Sequence, residues 1–490
     1  MKPPFLADES ICLESLFDGY RDHPALMTPD SIRSFGEIRE CLQTVIFNLE
    51  LAGVREGDSV ALHAENGELH LYLFLAAWVM GFLYLPLDFK APLGSLLDTV
   101  NLDFLVTADE VPPAVNLPVL HPEKLFQDSP SSTEPVPWPN IPFTREAGVI
   151  FTSGSTGKPR GIVHTVGNYV YSALGTNACI GMEPTDRWLL SLPLFHVGGI
   201  MIWVRTLLSG SACILPERLK KIDAAVLASS PSVLSLVPTQ LIRFLSSGAL
   251  VRILQKAKAV MLGGAPSPAW LIEKALDLCI PIMPTYGSTE SCAQVTGVAR
   301  GADRKSYFTA GRPLTHREVR IAEDGMILLG GKTLFQRYLH DPPEVDVSKE
   351  RFFKTADVGY LDPEGNLVVL GRKDGIFISG GENISPFEIE NALLALDSIA
   401  TAIVVPVLHR EFGMVPWAFV EMADSFDEST IIADLKTRLP GYKVPKRILR
   451  LEPRDKRGKM KYSRKTLTKL AGELAAKEQE GADDENGPSL

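Results

Sequence analysis

From its start to about residue 300 the chain alternates short apolar strands with amphipathic helices, a rhythm that commits it to a layered α/β architecture with largely parallel sheets. Phe35, Ile38, Leu42, Val45, Ile46 and Leu49 recur at helical spacing, with Ser34 placed as N-cap and Gly53 as stop, and the strand SVALHA follows. SACILP and AVMLGG repeat the pattern further on. At 490 residues, 45% of them hydrophobic, the chain can bury large cores and divides into about three domain-sized units.

One run, LHLYLFLAAWVMGFLYLPL at 69–87, is long enough to cross a membrane. Gly81 and Pro86 interrupt it and no basic flank follows, so it reads as a buried helix ending near Gly81 and then a buried strand. The opening MKPPFLADES has no basic stretch leading into an apolar run, which predicts no signal peptide and a cytoplasmic location. Cys12, Cys41, Cys179, Cys213, Cys279 and Cys292 are scattered without metal-ligand spacing and fit reduced thiols. A net charge of −10 argues against nucleic acid and for small-molecule partners; a homo-oligomer is compatible with it. The proline-rich stretch 127–142 reads as a surface connection, and from about 318 short strands and tight turns predict hairpins. Residues 473–490 are acidic and aperiodic, which predicts a frayed tail.

The chemistry begins at FTSGSTGKPRG, just after the apolar strand GVIF. Thr152, Ser153, Gly154, Ser155, Thr156 and Gly157 can bring backbone N–H groups and hydroxyls against a polyphosphate, and Lys158 adds charge. A Walker loop aligned on Gly157 and Lys158 would need glycine at Thr152 and a hydroxyl residue at Pro159, and both fail. In YGSTE, Glu290 offers a hard oxygen ligand for the magnesium that travels with ATP, and Tyr286 can stack on adenine opposite the small-residue turn GGAP at 263–266. Taken without the loop, Tyr286 in the core and a solvated Glu290 would be the plainer reading. Asp357 lies just before a hairpin, where a turn aspartate competes with a carboxylate that accepts ribose hydroxyls, and Arg372 supplies planar donors.

Read in order, TSGSTGKPRG, YGSTE, KTADVGYLD, LGRKDGIFISGGENISPFEIE and RGKMKYSRKTL resemble the motifs of the adenylate-forming superfamily of acyl-CoA synthetases, peptide-synthetase adenylation domains and luciferase, over nearly the whole chain. The resemblance implies a large N-terminal domain of layered α/β subdomains plus a β-subdomain (1–373), and a small mobile α+β C-terminal domain (374–472) hinged at Asp374. It implies that a carboxylic acid is activated with ATP and magnesium, then passed to a thiol such as coenzyme A. On ATP it places residues 152–158, Gly263, Gly264, Ala265, Tyr286, Gly287, Thr289, Asp357 and Arg372, with Thr156 and Glu290 on the metal. Gly380, Gly381 and Glu382 fall on coenzyme A, and Lys459 is the catalytic cation. A basic run such as PRDKRGKMKYSRK is ordinarily a solvated face, and the Gly-Lys step is what selects Lys459 among its lysines. Gly375 and Phe377 depart from the family's more usual acidic and aliphatic residues beside the hinge.

Two residues bear on the acid. His196, after Phe195 in SLPLFHVGG, reads by itself as a core histidine ending an apolar strand, while the resemblance places it, with Gly264 and Ser288, at the carboxylate-binding region. Arg205 is the lone charge in GGIMIWVRTLLSGSACIL. It is either internally ion-paired, or snorkelling, or waiting for a second carboxylate on the substrate. With SLVPTQL and MLGGAPSP, these segments resemble the o-succinylbenzoate:CoA ligase branch of the superfamily, which serves menaquinone synthesis. Other aryl- or acyl-CoA ligases, stand-alone adenylation enzymes and a silent nucleotide-binding module remain as alternatives at this point.

Overall fold

A computed structural model of the chain describes residues 3–89, 102–111, 117–127, 138–152, 160–219, 222–341, 347, 350–373, 375–379, 382–396, 398–409, 412–422, 427–451 and 463–485. Among them a nine-stranded sheet runs, edge to edge, through Arg312–Pro313, Ala293–Gly297, Ile282–Ser288, Ala259–Leu262, Val233–Leu236, Arg187–Leu189, Ala212–Ile214, Pro24–Met27 and Ile32–Ser34. Its central pairings are parallel and only its edges antiparallel. A seven-stranded sheet contains Arg337–Tyr338, Arg160–Thr165, Glu146–Thr152, Leu83–Leu87, Ser59–His63, Phe104–Thr107 and Val119–Leu120. This is the layered, largely parallel α/β plan that the alternation predicts.

Local chemistry explains the individual elements. Helix Phe35–Leu51 starts at Ser34 with a full capping box to Glu37 and buries all six apolar positions of the predicted face; such a cap is worth about 1 kcal/mol. The apolar run at 69–87 divides as expected, into helix Glu68–Met80 closed by left-handed Gly81 and strand Leu83–Leu87. Leu69 to Trp78 are buried on every side of that helix, so the apolar girth reflects a core between two sheets. No helix among the described residues is long and apolar enough to cross a membrane.

The strand-and-turn segment from 318 forms an antiparallel sheet of Arg317–Ile321, Met326–Gly331, Phe353–Leu361 and Leu367–Arg372. Beyond it, Glu382–Ile384, Phe377–Ser379, Gly413–Met422 and Ile399–His409 make a separate sheet, with Arg447–Arg450 pairing parallel to Gly413–Met422. Helices cover it over two apolar clusters, one centred on Ile389, Leu393 and Leu435, the other on Trp417, Phe419 and Leu467.

Two expectations need correction. The stretch 127–142 is not all surface: Trp138 is buried against Phe17 under Arg39, and Ile141–Pro142 pairs with Ser10–Ile11. An indole and an isoleucine bury more readily than the surrounding prolines suggest. Residues 473–485 are not a frayed tail, because helix Arg464–Glu485 continues through them with Leu467, Ala471 and Ala475 packed on the C-terminal sheet. Three small or apolar residues one helical turn apart anchor it; the acidic remainder hid that stripe.

Candidate active site

Consecutive strands of the nine-stranded sheet run outward from Arg187–Leu189 to Ala212–Ile214, and the chain then returns to lay Val233–Leu236 on the other side of Arg187–Leu189. That reversal opens a crevice beyond the carboxyl ends of the strands, where open α/β sheets bind ligands. Several described candidates lie on this sheet or in connections that follow its strands. The GGAP turn follows strand Ala259–Leu262, and Tyr286 lies within the neighbouring strand Ile282–Ser288, two residues past its parallel pairing of Pro284 with Leu262. Gly264 holds φ +76°, and a Cβ on Gly263 would meet Thr285 Oγ1 at 2.4 Å, so this turn is kept flat by necessity.

Tyr286 and the predicted ribose pair converge from three strands. Asp357 and Arg372 are direct cross-strand partners, and the Tyr286 hydroxyl donates to Asp357 Oδ2 at 2.6 Å. Asp357 therefore sits inside a ladder, Phe353–Leu361, and is not a turn residue. Burial and then the Asp357 carboxylate push the Tyr286 hydroxyl well above its ordinary pKa, so it remains a donor. Tyr286→Phe should raise the KM for ATP about tenfold, the usual worth of one hydrogen bond to a charged group, with little change in the KM of the acid; steady-state kinetics check this.

Gly287 lies so close to its antiparallel partner that a Cβ there would meet the Ala293 carbonyl at 1.8 Å. Behind it Ser288 opens the short 3-10 turn Thr289–Ser291, which displays Glu290 half-exposed while its main-chain oxygen accepts from Phe335 N–H at 2.8 Å. Gly287→Ala is expected to break the 286–290 turn, lowering both melting temperature and ATP affinity, as a thermal melt with and without ATP would report.

The Ser153–Pro159 part of the phosphate loop lies outside the described residues, as do Asp374, Gly380, Gly381 and Lys459, and nothing is described of the Glu382 side chain. The loop's flanks are described. Strands Glu146–Thr152 and Arg160–Thr165 pair antiparallel with Thr152 opposite Arg160, so the loop joins two strands, whereas a Walker loop leads from strand to helix. Arg160 rests over the Tyr338 ring at 5.6 Å. Burial, then the negative charge of Glu290, raise the Tyr338 hydroxyl; the Glu290 carbonyl accepts from Phe335 N–H, just before strand Arg337–Tyr338, which pairs with the Arg160–Thr165 strand that leaves the loop.

On the acid side, strand Arg187–Leu189 ends well before His196. His196 is exposed at the head of helix Val197–Ser209, with its ring 4.5 Å from Phe195. The core-histidine reading is thereby overturned: Leu194 and Phe195 take the interior and turn the imidazole out. Arg205 lies on that helix and is 2% exposed, which removes the snorkelling alternative. Among the described residues its Nε and Nη2 have no hydrogen-bond partner and no carboxylate pairs with it. The guanidinium rests 5.3 Å over Trp188, whose indole N–H donates to Ser235 Oγ at 3.2 Å. Burial and then the Arg317 charge push its pKa down to about 9, so at pH 7 it remains cationic. Arg317, by contrast, is satisfied by the carbonyls of Gln294, Thr315 and Ser172. Trp188, Tyr338 and Asn66, which grips the backbone at Leu192 and Leu194, went unread in the sequence because an aromatic or an amide in a core or turn carries no motif.

The AMP-binding enzyme model matches residues 13–339, and the model of the AMP-binding enzyme C-terminal domain matches 388–459. The chain belongs to the AMP-binding enzyme family. Similar family members include 2-succinylbenzoate--CoA ligase of Listeria monocytogenes serotype 4b, 31% identical over 90% of this chain and 95% of that one. The o-succinylbenzoate CoA synthetase of Bacillus subtilis, solved with the acyl-adenylate intermediate OSB-AMP, superposes with TM-score 0.79 at 26% identity, covering 91% of this chain and 96% of that one. The same enzyme with ATP and magnesium ion gives TM-score 0.78 at 26% identity, over 91% and 97%. As in other AMP-binding enzymes of this acid-thiol ligase type, the large N-terminal and smaller C-terminal units are both present.

Proposed function

We propose that this AMP-binding enzyme converts o-succinylbenzoate to o-succinylbenzoyl-CoA, as the names of its relatives suggest, and that the observation carrying this reading is Arg205. A buried guanidinium with no acid beside it is costly in a protein interior, and a substrate with a second carboxylate removes that cost on binding. A fatty-acyl or simple aryl pocket has no use for it.

In the first half-reaction a carboxylate oxygen of the acid attacks the α-phosphorus of ATP; the new O–P bond replaces the α–β anhydride and pyrophosphate leaves. The nucleoside would lie between the Gly263–Ala265 turn and Tyr286, with Asp357 and Arg372 at its ribose. The phosphates lie on the 152–158 loop, and Glu290 with Thr156 would hold the magnesium ion, which supplies neutralising charge on phosphate oxygens. The half-exposed carboxylate of Glu290 fits such an ion. Lys459 stabilises the charge gathering at the α-phosphorus, and His196 contacts the acid at the pocket mouth. In the second half-reaction the coenzyme A sulfur attacks the acyl carbon, its proton leaves to solvent, and AMP departs as the C–O bond breaks. One site serves both steps if the C-terminal domain swings about Asp374, withdrawing Lys459 and presenting Gly380, Gly381 and Glu382 to the thiol. A cytoplasmic location fits this chemistry.

The test is acid-dependent exchange of labelled pyrophosphate into ATP over a panel of mono- and dicarboxylic acids. The expected result is strongest exchange with o-succinylbenzoate. Preference for a monocarboxylate would transfer the enzyme to another acyl-CoA ligase specificity, and exchange without thioester formation would make it a stand-alone adenylation enzyme.

A further inference from the structure

The segment that carries Phe195 and His196 is gripped from both sides by side-chain amides. Asn66 lies in the turn after strand Ser59–His63 of the seven-stranded sheet. Its Nδ2 donates to the Leu192 carbonyl at 3.0 Å and its Oδ1 accepts from the Leu194 N–H at 2.9 Å. From the nine-stranded sheet, Gln240 at the head of helix Pro238–Leu245 donates Nε2 to the Ser191 carbonyl at 3.2 Å, while its Oε1 accepts from Val237 N–H at 3.0 Å. The Ser191 hydroxyl donates to the Ser235 carbonyl. The contacts at Ser191, Leu192 and Leu194 fall between the end of strand Arg187–Leu189 and the helix bearing Arg205.

The turn that presents Asn66 is itself held. Buried His70 has Nδ1 2.6 Å from the Tyr84 hydroxyl and Nε2 3.2 Å from the Ala64 carbonyl. Burial pushes its pKa down to about 4, so the ring is neutral at pH 7. A carbonyl at Nε2 keeps the single ring proton there and leaves Nδ1 to accept from tyrosine. Tyr84, His70, Ala64 and Asn66 therefore form a chain of fixed contacts reaching from the core of one sheet to the loop of the other. Between 190 and 196 the loop has no strand ladder of its own, so the direction in which it delivers His196 depends on these amides.

We propose that Asn66 is a positioning residue for the carboxylic acid: from the opposite sheet it sets the Leu190–His196 loop so that Phe195, His196 and the Arg205 helix present one geometry to the substrate. Gln240 holds the same segment from the other side. The inference deepens the adenylation reading above and rests on it.

The test uses the full chain and pyrophosphate exchange, with the acid and ATP varied in turn. Asn66→Ala is expected to raise the KM of o-succinylbenzoate about tenfold, since both amide contacts to the loop backbone are lost. The KM of ATP stays within about twofold, because the nucleotide side is built on other strands. Gln240→Ala should act in the same direction, and the double variant should fall short of the product of the two effects, as residues gripping one segment do. A role in stability alone lowers the active fraction, and hence kcat, while moving neither KM. An unchanged acid KM, or equal rises in both KM values, overturns the proposal. If Asn66→Ala does not fold, Gln240→Ala carries the same readout and the same two outcomes. A wild-type chain that shows no pyrophosphate exchange with any acid overturns the adenylation reading and this inference with it, and the silence of the wild type itself distinguishes that case.

Discussion

Lys459→Ala is expected to lower acid-dependent pyrophosphate exchange about 100- to 1,000-fold, the usual effect of deleting a donor aimed at charge that develops in the transition state. The loss should fall on kcat, with the KM of ATP nearly unchanged, because the ammonium interacts more strongly with the crowded α-phosphorus than with the ground state. Supplied with preformed acyl-adenylate and coenzyme A, the same variant should form thioester at close to the wild-type rate, since no phosphorus is attacked in that step. Rapid-quench measurement of the two half-reactions separates the outcomes. An exchange rate within about tenfold of wild type would remove Lys459 from its role, and alanine variants at Lys456, Lys461 and Lys465 test whether a neighbouring lysine has taken it.

The second large effect concerns Arg205. Arg205→Met keeps an unbranched side chain of similar length and removes the buried charge, and two opposite changes should follow. Catalytic efficiency toward o-succinylbenzoate should fall about 100-fold, as when one partner of a buried charged pair is truncated. Discrimination against the corresponding monocarboxylates should disappear with it. The ligand-free chain, however, should become more stable by about 1–3 kcal/mol, because the wild type leaves the Nε and Nη2 donors of a 2% exposed side chain without acceptors. The sign follows from the direction of the pKa shift. A cation whose pKa is pushed down to about 9 weakens the folded state wherever it is charged, so the destabilisation is fully present at pH 7 and is relieved only as pH rises through that value. Thermal melts of both forms at pH 7, with and without o-succinylbenzoate, provide the check. A variant that is both less stable and equally selective would show Arg205 to be a structural residue.

Much of the fold was legible from pattern alone. Helix Phe35–Leu51 with its Ser34 cap, and the break at Gly81 that divides the 69–87 run, follow from periodicity and from two residues with special backbone preferences. Boundaries and contexts were less legible. Trp138 among prolines and the Leu467–Ala471–Ala475 stripe in an acidic helix declare themselves only through what they pack against. At the site, Tyr286, Glu290, Asp357 and Arg372 stand out as candidates because nucleotide chemistry needs those residue types in those motifs. The ladder that sets Asp357 opposite Arg372 was not, because hairpin register is a property of two strands.

The sequence by itself determined the layered plan and the family motifs, and it named the candidates for ATP, since each rests on neighbours close along the chain. Only the tertiary structure decided what Arg205 and His196 are. One is a buried guanidinium over Trp188, the other an imidazole turned out at a helix head, at the end of a loop whose backbone at Leu192 and Leu194 is held by Asn66. The physical reason is common to both: burial and hydrogen-bond satisfaction depend on segments brought together by the fold, in the case of the His196 loop from more than a hundred residues away, and no local spacing encodes them.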